Sequence, residues 1–188
     1  INNLAKKFDN IIIVGGMANT MLKHTGYKIG KSICENDCES LIKDILDISK
    51  KFNCKIVCPI DAIVSKSFEG VGKNKDIKEI NDDEMILDIG PKTISSIKKI
   101  INDSNTVLWN GPAGYFENPN FQNGTKEILE IISQKTMNDK IFSVAGGGET
   151  VAAINKFKKL DSFTFVSTAG GAFLEYLEGK TLPGINAL

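Results

Sequence analysis

The sequence predicts an α/β fold: a doubly wound parallel sheet in three α/β/α layers, with a small antiparallel β excursion, as a single domain over residues 1–188. Two observations predict it. Short apolar, β-branched runs alternate with segments of helical period along nearly the whole chain, which argues for parallel strands joined by right-handed crossovers. Four of the strand-like runs end in glycine: at Gly15-Gly16, at Asn110-Gly111-Pro112-Ala113-Gly114, at Gly146-Gly147-Gly148 and at Ala169-Gly170-Gly171. Ligands of such sheets lie beyond the carboxyl ends of the strands, so the four turns are expected to meet at one rim.

The elements follow in order. Ile1, Leu4, Ala5 and Phe8 stand at helical spacing, the last turns of a helix. Ile11 to Val14 is a buried parallel strand, and Met17 to His24 is a short helix stopped by Gly26. Asn36 or Asp37 is expected to cap a longer helix with Leu41, Ile42, Ile45, Leu46 and Ile48 inward. Lys55 to Cys58 is a strand broken by Pro59. Asp61 to Glu79, with Gly70 and Gly72, is the antiparallel excursion on the rim. Met85 to Ile89 is a further short strand, and Pro91 suits the first position of a helix reaching Asn102. Thr106 to Trp109 is a strand, Asn110 to Glu117 a Gly/Pro-rich loop, and Phe121 to Lys135 a helix with Ile128, Leu129, Ile131 and Ile132 inward. The run Ile141 to Ala145 enters the three glycines and a helix beginning near Glu149. Phe163 to Val166 is the last strand, followed by a helix through about Glu178. The apolar tail Leu182 to Leu188 is expected to pack.

Composition bounds the function. Hydrophobic residues make up 41% and charged residues 24% of the chain, within the range of soluble globular proteins. The formal net charge is zero, so there is no long-range field to attract nucleic acid or an acidic membrane. No apolar run approaches the roughly 20 residues of a spanning helix, and neither a membrane nor a nucleic-acid partner is expected. A cytoplasmic monomer is the expectation. Ile1 opens the chain without Met, as if cut from something longer. All 23 basic residues are lysines. Arginine is the usual bidentate clamp for small anions, so a site for a doubly anionic substrate is expected outside these residues; drift toward Lys, Asn and Ile accounts for the same bias. Cys34, Cys38, Cys54 and Cys58 have a spacing that imitates a zinc site. A strand between Cys54 and Cys58 would hold them about 13 Å apart at about 3.3 Å per residue, so reduced, structural thiols are expected. His24, the one histidine, is expected at the surface or at a helix end.

The segment Gly146-Gly147-Gly148-Glu149-Thr150 is the centre of the functional reading. A strand that turns into a helix through bare backbone presents N–H groups to an anion, above all phosphate. Glu149 beside it offers an oxygen to Mg²⁺, and Thr150 a hydroxyl to phosphate. Neither the P-loop pattern nor G-x-G-x-x-G occurs, so a nucleotide site of another design is expected.

These residues resemble, in order and over nearly the whole chain, the C-terminal nucleotide-binding domain of the phosphoglycerate kinase family. The matching segments are Val14 to Thr20, Pro59 to Ala62, Leu87 to Thr93, Trp109 to Glu117, Gly146 to Thr150, Val166 to Ala172, and Leu177 to Lys180 before Leu182-Pro183-Gly184. The resemblance implies a Rossmann-like domain and reversible phosphoryl transfer between ATP and 3-phosphoglycerate, giving ADP and 1,3-bisphosphoglycerate. It implies Gly15, Gly16, Ile86 and Leu87 at the base, Asn110, Pro112 and Gly114 along the nucleotide, and Glu117 on the ribose. Gly147, Gly148, Glu149 and Thr150 fall on the phosphates, with Glu149 the candidate Mg²⁺ ligand of Mg-ATP or Mg-ADP. Gly148, Gly170 and Gly171 are the candidate catalytic positions, the last two opening a helix aimed at the transferred phosphoryl group. Such chemistry is mostly positioning and charge neutralisation.

Two positions depart from the family pattern. Glu149 replaces an Asp and carries its carboxylate about 1.5 Å further out. Ala169 replaces a glycine and requires a negative φ. The resemblance also implies an N-terminal domain holding 3-phosphoglycerate, and a first strand with a phosphate-contacting lysine, both upstream of Ile1. The chain alone is therefore expected to bind nucleotide weakly and not to turn over. The alternatives are a non-catalytic nucleotide-binding or partner-binding module, and a dehydrogenase-type domain, which would require the missing glycine fingerprint.

Overall fold

Strand β1 (Asn10–Ile12) and the residues after it show why helices must flank both faces. Successive side chains of an extended segment point to opposite sides. Ile11 and Ile13 pack with Ala18, Met21, Ile42 and Ile45, whereas Ile12 and Val14 pack into a separate cluster around Ile97, Trp109, Leu129 and Ile154. The first cluster is built by helices α1 (Gly15–His24) and α2 (Glu39–Lys51). The second is built by α3 (Pro91–Asn102), α4 (Asn123–Met137) and α5 (Gly148–Lys156). A strand with apolar residues on both faces is thus covered twice, the doubly wound arrangement the sequence predicts. The structure, a computed structural model, describes residues 3–187. The expectations for Ile1 and Leu188 concern positions outside the described residues.

Parallel pairing occurs in two ladders. β1 pairs with β2 (Lys55–Val57), and β6 (Thr106–Trp109) pairs with β7 (Phe142–Ala145), which pairs with β8 (Phe165–Val166). Among the described residues no backbone hydrogen bond joins one ladder to the other. The contact between them is side-chain packing of Ile12 and Val14 on the large core.

The excursion is antiparallel, as expected, with β3 (Asp61–Ser65) between β4 (Lys73–Asp76) and β5 (Met85–Ile89). β5 therefore belongs to this small sheet and not to the parallel layer, although helices follow it as they follow the parallel strands. Partner direction is decided by tertiary placement, which the local pattern does not carry. Ala62 and Val64 of β3 pack with Leu22, Ile29, Ile77 and Ile80 in a third cluster.

Other departures have local causes. α2 begins after Cys38, not after Asn36 or Asp37. Lys23 Nζ donates to Asn36 Oδ1 at 3.0 Å, and Asp37 turns at φ +55°, so neither is placed to cap. Leu41, expected inward, is exposed, while Ile42 and Ile45 are buried. The last strand is shorter than expected, because Thr164 and Ser143 exchange side chain to backbone bonds at 3.1 Å where ladder bonds would run. The tail forms a short helix, α7 (Pro183–Asn186), after α6 (Gly171–Leu177); Pro183, Gly184, Asn186 and Ala187 are exposed, against the expectation of packing. His24 ends α1 as expected, but its side chain is only 9% exposed, with Nδ1 3.4 Å from Glu39 Oε1.

Two buried aspartates fasten the antiparallel sheet to the helices. Asp61 accepts the N–H groups of Lys92 and Thr93 at 3.0 and 2.8 Å and the Thr93 hydroxyl at 2.7 Å, which satisfies the first turn of α3. Asp88 accepts Gly124 N–H at 2.7 Å at the start of α4 and the Ile89 N–H at 2.9 Å. Gly90, Gly114 and Gly124 make room for them: a Cβ at any of the three would come within 2.5 Å of one carboxylate. Burial pushes the Asp88 carboxyl up to about 7, with the amides of Gly124, Ile89 and Asn123 pulling it the other way.

Two predictions follow from these caps. Replacing Asp61 by Ala orphans two helix N–H groups and leaves the Thr93 hydroxyl only the Asp61 main-chain carbonyl, at 3.2 Å; it is expected to lower unfolding free energy by about 2–4 kcal/mol in urea melts. Asp88 holds a raised pKa in the folded state, so the native form binds the extra proton between the unfolded value and about 7. Its contribution to stability is present below the unfolded carboxylate pKa and is lost as pH rises to about 7. Asp88→Asn is expected to flatten that slope in melts run from pH 4 to pH 8.

Candidate functional site

β6, β7 and β8 end on one level, because Trp109 pairs with Ala145 and Ala145 with Val166. The turns that follow must emerge side by side. They enclose a cleft of about 210 Å³ lined by Asn110, Gly111, Gly147, Gly148, Glu149, Thr150, Gly170, Gly171 and Leu174. Three of the four glycine turns thus converge as predicted. The fourth abuts them, since a Cβ on Gly15 would lie 3.5 Å from the Pro112 carbonyl.

One device recurs at α1, α5 and α6. A glycine at positive φ is followed by a glycine whose Cβ would meet nothing within 4 Å: Gly15 (φ +62°) then Gly16, Gly147 (φ +90°) then Gly148, and Gly170 (φ +56°) then Gly171. At the first position the left-handed backbone explains the residue. At the second, neither conformation nor packing does. A Cβ on a helix tilts toward the N-terminus, so at Gly148 or Gly171 it would project over the free N–H groups. What glycine preserves there is open space in front of an anion-attracting helix end. Ala169 is not among the residues with positive φ, which meets the condition its Cβ imposes.

The remaining side chains hold this surface in shape. Thr150 is fully buried, and its Oγ1 accepts the Gly111 N–H at 2.6 Å, tying the turn after β7 to the turn after β6. The hydroxyl proton remains available as a donor. Asn110 Oδ1 lies where a Cβ on Gly147 would be 2.6 Å away, so the two turns are in contact. Ala113 N–H donates to the buried Thr125 hydroxyl at 3.0 Å, and Tyr115 N–H to the Leu87 carbonyl at 2.7 Å. Glu149 is exposed at the cleft and forms no salt bridge among the described residues. An unpaired, accessible carboxylate beside an anion-attracting helix end suits a hydrated cation shared with phosphate oxygens.

Some predicted residues lie outside the cleft. Gly16 instead lines a larger cavity of about 640 Å³ with Met17, Met21, Ile33, Leu41 and Ile45, between α1 and α2. Leu87 is buried, and Ile86 packs into the cluster of the antiparallel sheet while its N–H donates to Ser32 Oγ at 2.8 Å. Gly114 serves the close approach of Asp88. Glu117 is exposed on the loop before α4. Sequence reading missed Phe68 and Tyr115, a half-exposed edge-to-face pair with ring centres 5.4 Å apart, held by Asn118 Nδ2 donating to the Phe68 carbonyl at 2.7 Å. The two aromatics are far apart in the chain, and no local pattern pairs them.

The comparisons with known proteins agree with this architecture. The sequence model of phosphoglycerate kinase matches residues 1–180. The chain is 46% identical over 190 aligned positions to a phosphoglycerate kinase of Xanthobacter autotrophicus, covering 100% of this chain and 48% of that protein. It is also 46% identical to the phosphoglycerate kinase of Rhizobium meliloti, with the same coverage. The fold superposes on phosphoglycerate kinase from Coxiella burnetii with a TM-score of 0.92 at 40% identity, covering 98% of this chain and 47% of that one. On the crystal structure of the Pyrococcus horikoshii enzyme the TM-score is 0.74 at 28% identity, covering 100% and 48%. The chain spans about half the length of the relatives it matches, and it belongs to the phosphoglycerate kinase family.

Proposed function

We propose that this chain is the nucleotide-binding half of a phosphoglycerate kinase, and that its cleft receives the phosphates of ATP or ADP. The complete reaction is reversible phosphoryl transfer between ATP and 3-phosphoglycerate, giving ADP and 1,3-bisphosphoglycerate. One observation carries the reading: Gly148 and Gly171 keep space open in front of two helix ends without any packing or conformational need for glycine. In the reading, backbone N–H groups at Gly148, Gly170 and Gly171 neutralise charge on the phosphoryl oxygens. Asn110 and Thr150 border the same space, Pro112 and Gly114 lie along the nucleotide, Gly15 lies at the base, and Glu117 meets the ribose. Phe68 and Tyr115 offer aromatic surface to the base. Glu149 would hold Mg²⁺ beside the phosphates, and the ion would offset their charge.

The acceptor site is a separate matter. The chain contains no arginine, so a pocket recognising a small dianion by bidentate pairing falls to the remaining half of the longer relatives. The 188 residues by themselves are therefore expected to bind nucleotide and to show no turnover in a coupled kinase assay. Turnover at an ordinary kinase rate would overturn this division of labour.

Titration of the chain with Mg-ADP and with NAD tests the nucleotide reading. Mg-ADP is expected to bind and NAD to bind at least about tenfold more weakly, a gap of about 1.4 kcal/mol; tighter NAD binding refutes the assignment. Substitution of the paired glycines separates shape from function. Gly147→Ala forces a Cβ onto a residue at φ +90° and to within 2.6 Å of Asn110 Oδ1, and is expected to cost about 1–3 kcal/mol of stability. Gly148→Ala has no such strain and is expected to leave the melting temperature unchanged or slightly raised, while weakening Mg-ADP binding about tenfold through lost contact with the helix end.

A further inference from the structure

Helix α5 has a role at each end. Its N-terminus forms the anion side of the cleft, and its last residue, Lys156, reaches the loop that carries Glu117. Lys156 Nζ donates to the Phe116 carbonyl at 2.6 Å and to the Glu117 carbonyl at 3.2 Å, across about 40 residues of sequence. The ammonium also lies 5.8 Å from the ring centres of Phe116 and Phe157. No carboxylate pairs with it among the described residues. A lysine on a protein surface ordinarily keeps its charge in water or pairs with an acid. Lys156 is exposed, yet its ammonium is directed to two consecutive main-chain carbonyls and two aromatic faces, which holds the peptides on either side of Glu117.

We propose that Lys156 is a positioning residue, which sets Glu117 at a fixed distance from the anion end of α5. The eight steps from Gly148 to Lys156 span about 12 Å at the 1.5 Å rise of an α-helix. One rigid rod thereby spaces the carboxylate-bearing loop from the phosphate-facing N–H groups. The helix acts as a gauge: a ligand that satisfies both ends must hold a hydroxyl-bearing group and an anionic chain at that separation. This role rests on the nucleotide reading, since a ribose is the hydroxyl-bearing group for which Glu117 is a fit acceptor. The rest of the loop is held independently, by Thr125 at Ala113, by Leu87 at Tyr115 and by Asn118 Nδ2 on the Phe68 carbonyl, so loss of Lys156 relaxes the Glu117 peptides without releasing Gly111 or the cleft.

The test measures three ligands on the whole chain by calorimetry: Mg-ADP, Mg-2′,3′-dideoxy-ADP, and inorganic tripolyphosphate with Mg²⁺. Unsubstituted protein is expected to prefer ADP to the dideoxy compound by about tenfold, the worth of a charged hydrogen bond. Lys156→Met is expected to lose that preference, weakening ADP about tenfold to the level of the dideoxy compound, with tripolyphosphate changed less than about twofold. Lys156→Arg, which can still donate to both carbonyls, is expected to restore the preference. Retention of the ADP preference in Lys156→Met overturns the proposal, and so does an equal loss of tripolyphosphate binding, which would mark general loosening. Equal binding of ADP and the dideoxy compound by unsubstituted protein overturns it as well, while leaving the phosphate site intact. Absence of both ADP and tripolyphosphate binding removes the underlying nucleotide reading, and this role with it.

Discussion

The register of three parallel strands is the constraint on which the site depends. Trp109, Ala145 and Val166 stand on one level across β6, β7 and β8, and each is followed at once by a turn rich in glycine. A slip of a single residue would offset neighbouring turns by about 3.3 Å and exchange the faces of every side chain on the slipped strand. The pairing is guarded from within. Ala145 is completely buried at the centre of the level, and Trp109 stacks on Phe163 with ring centres 6.0 Å apart. Above the level, the Thr150 hydroxyl ties the turn after β7 to the turn after β6, and Asn110 Oδ1 packs against Gly147. Order in the core is thus converted into order at the rim, where the glycine turns expose backbone to the cleft.

The antiparallel sheet contributes to the same end by a different route. Its buried carboxylates Asp61 and Asp88 hold the N-termini of α3 and α4, and α4 is entered from the loop that carries Asn110 and Glu117. A carboxylate that accepts helix N–H groups is a strong anchor, and a desolvated one is a costly anchor. Asp88 shows both properties, with two amide donors at hydrogen-bond distance and a carboxyl pushed up by burial.

The parts of this molecule written in local chemistry were legible in the sequence. Pro91 marks the first residue of α3, and the bounds of that helix, like those of β5 and β6, agree with the prediction. The glycine turns were legible because no other residue can take φ +90° at Gly147 cheaply. What escaped was written in distant contacts. The direction of β5 depends on β3, and the late start of α2 depends on a lysine of α1 that occupies Asn36. The Phe68–Tyr115 pair and the reach of Lys156 to Glu117 each join segments remote in the chain. Side chains that act by touching something far away leave no periodicity behind.

Among the described residues the β1–β2 ladder meets the β6–β7–β8 ladder through apolar side chains and not through backbone bonds. Gly15 and Gly16 ride on one ladder, while Asn110, Gly147 and Gly170 ride on the other. Apolar packing resists separation but is tolerant of sliding, because it is not directional. Here the two ladders meet through Ile12 and Val14 on the large core, so a molecule touching Gly15 on one side and Asn110 on the other would add a directional tie to a contact that is otherwise apolar.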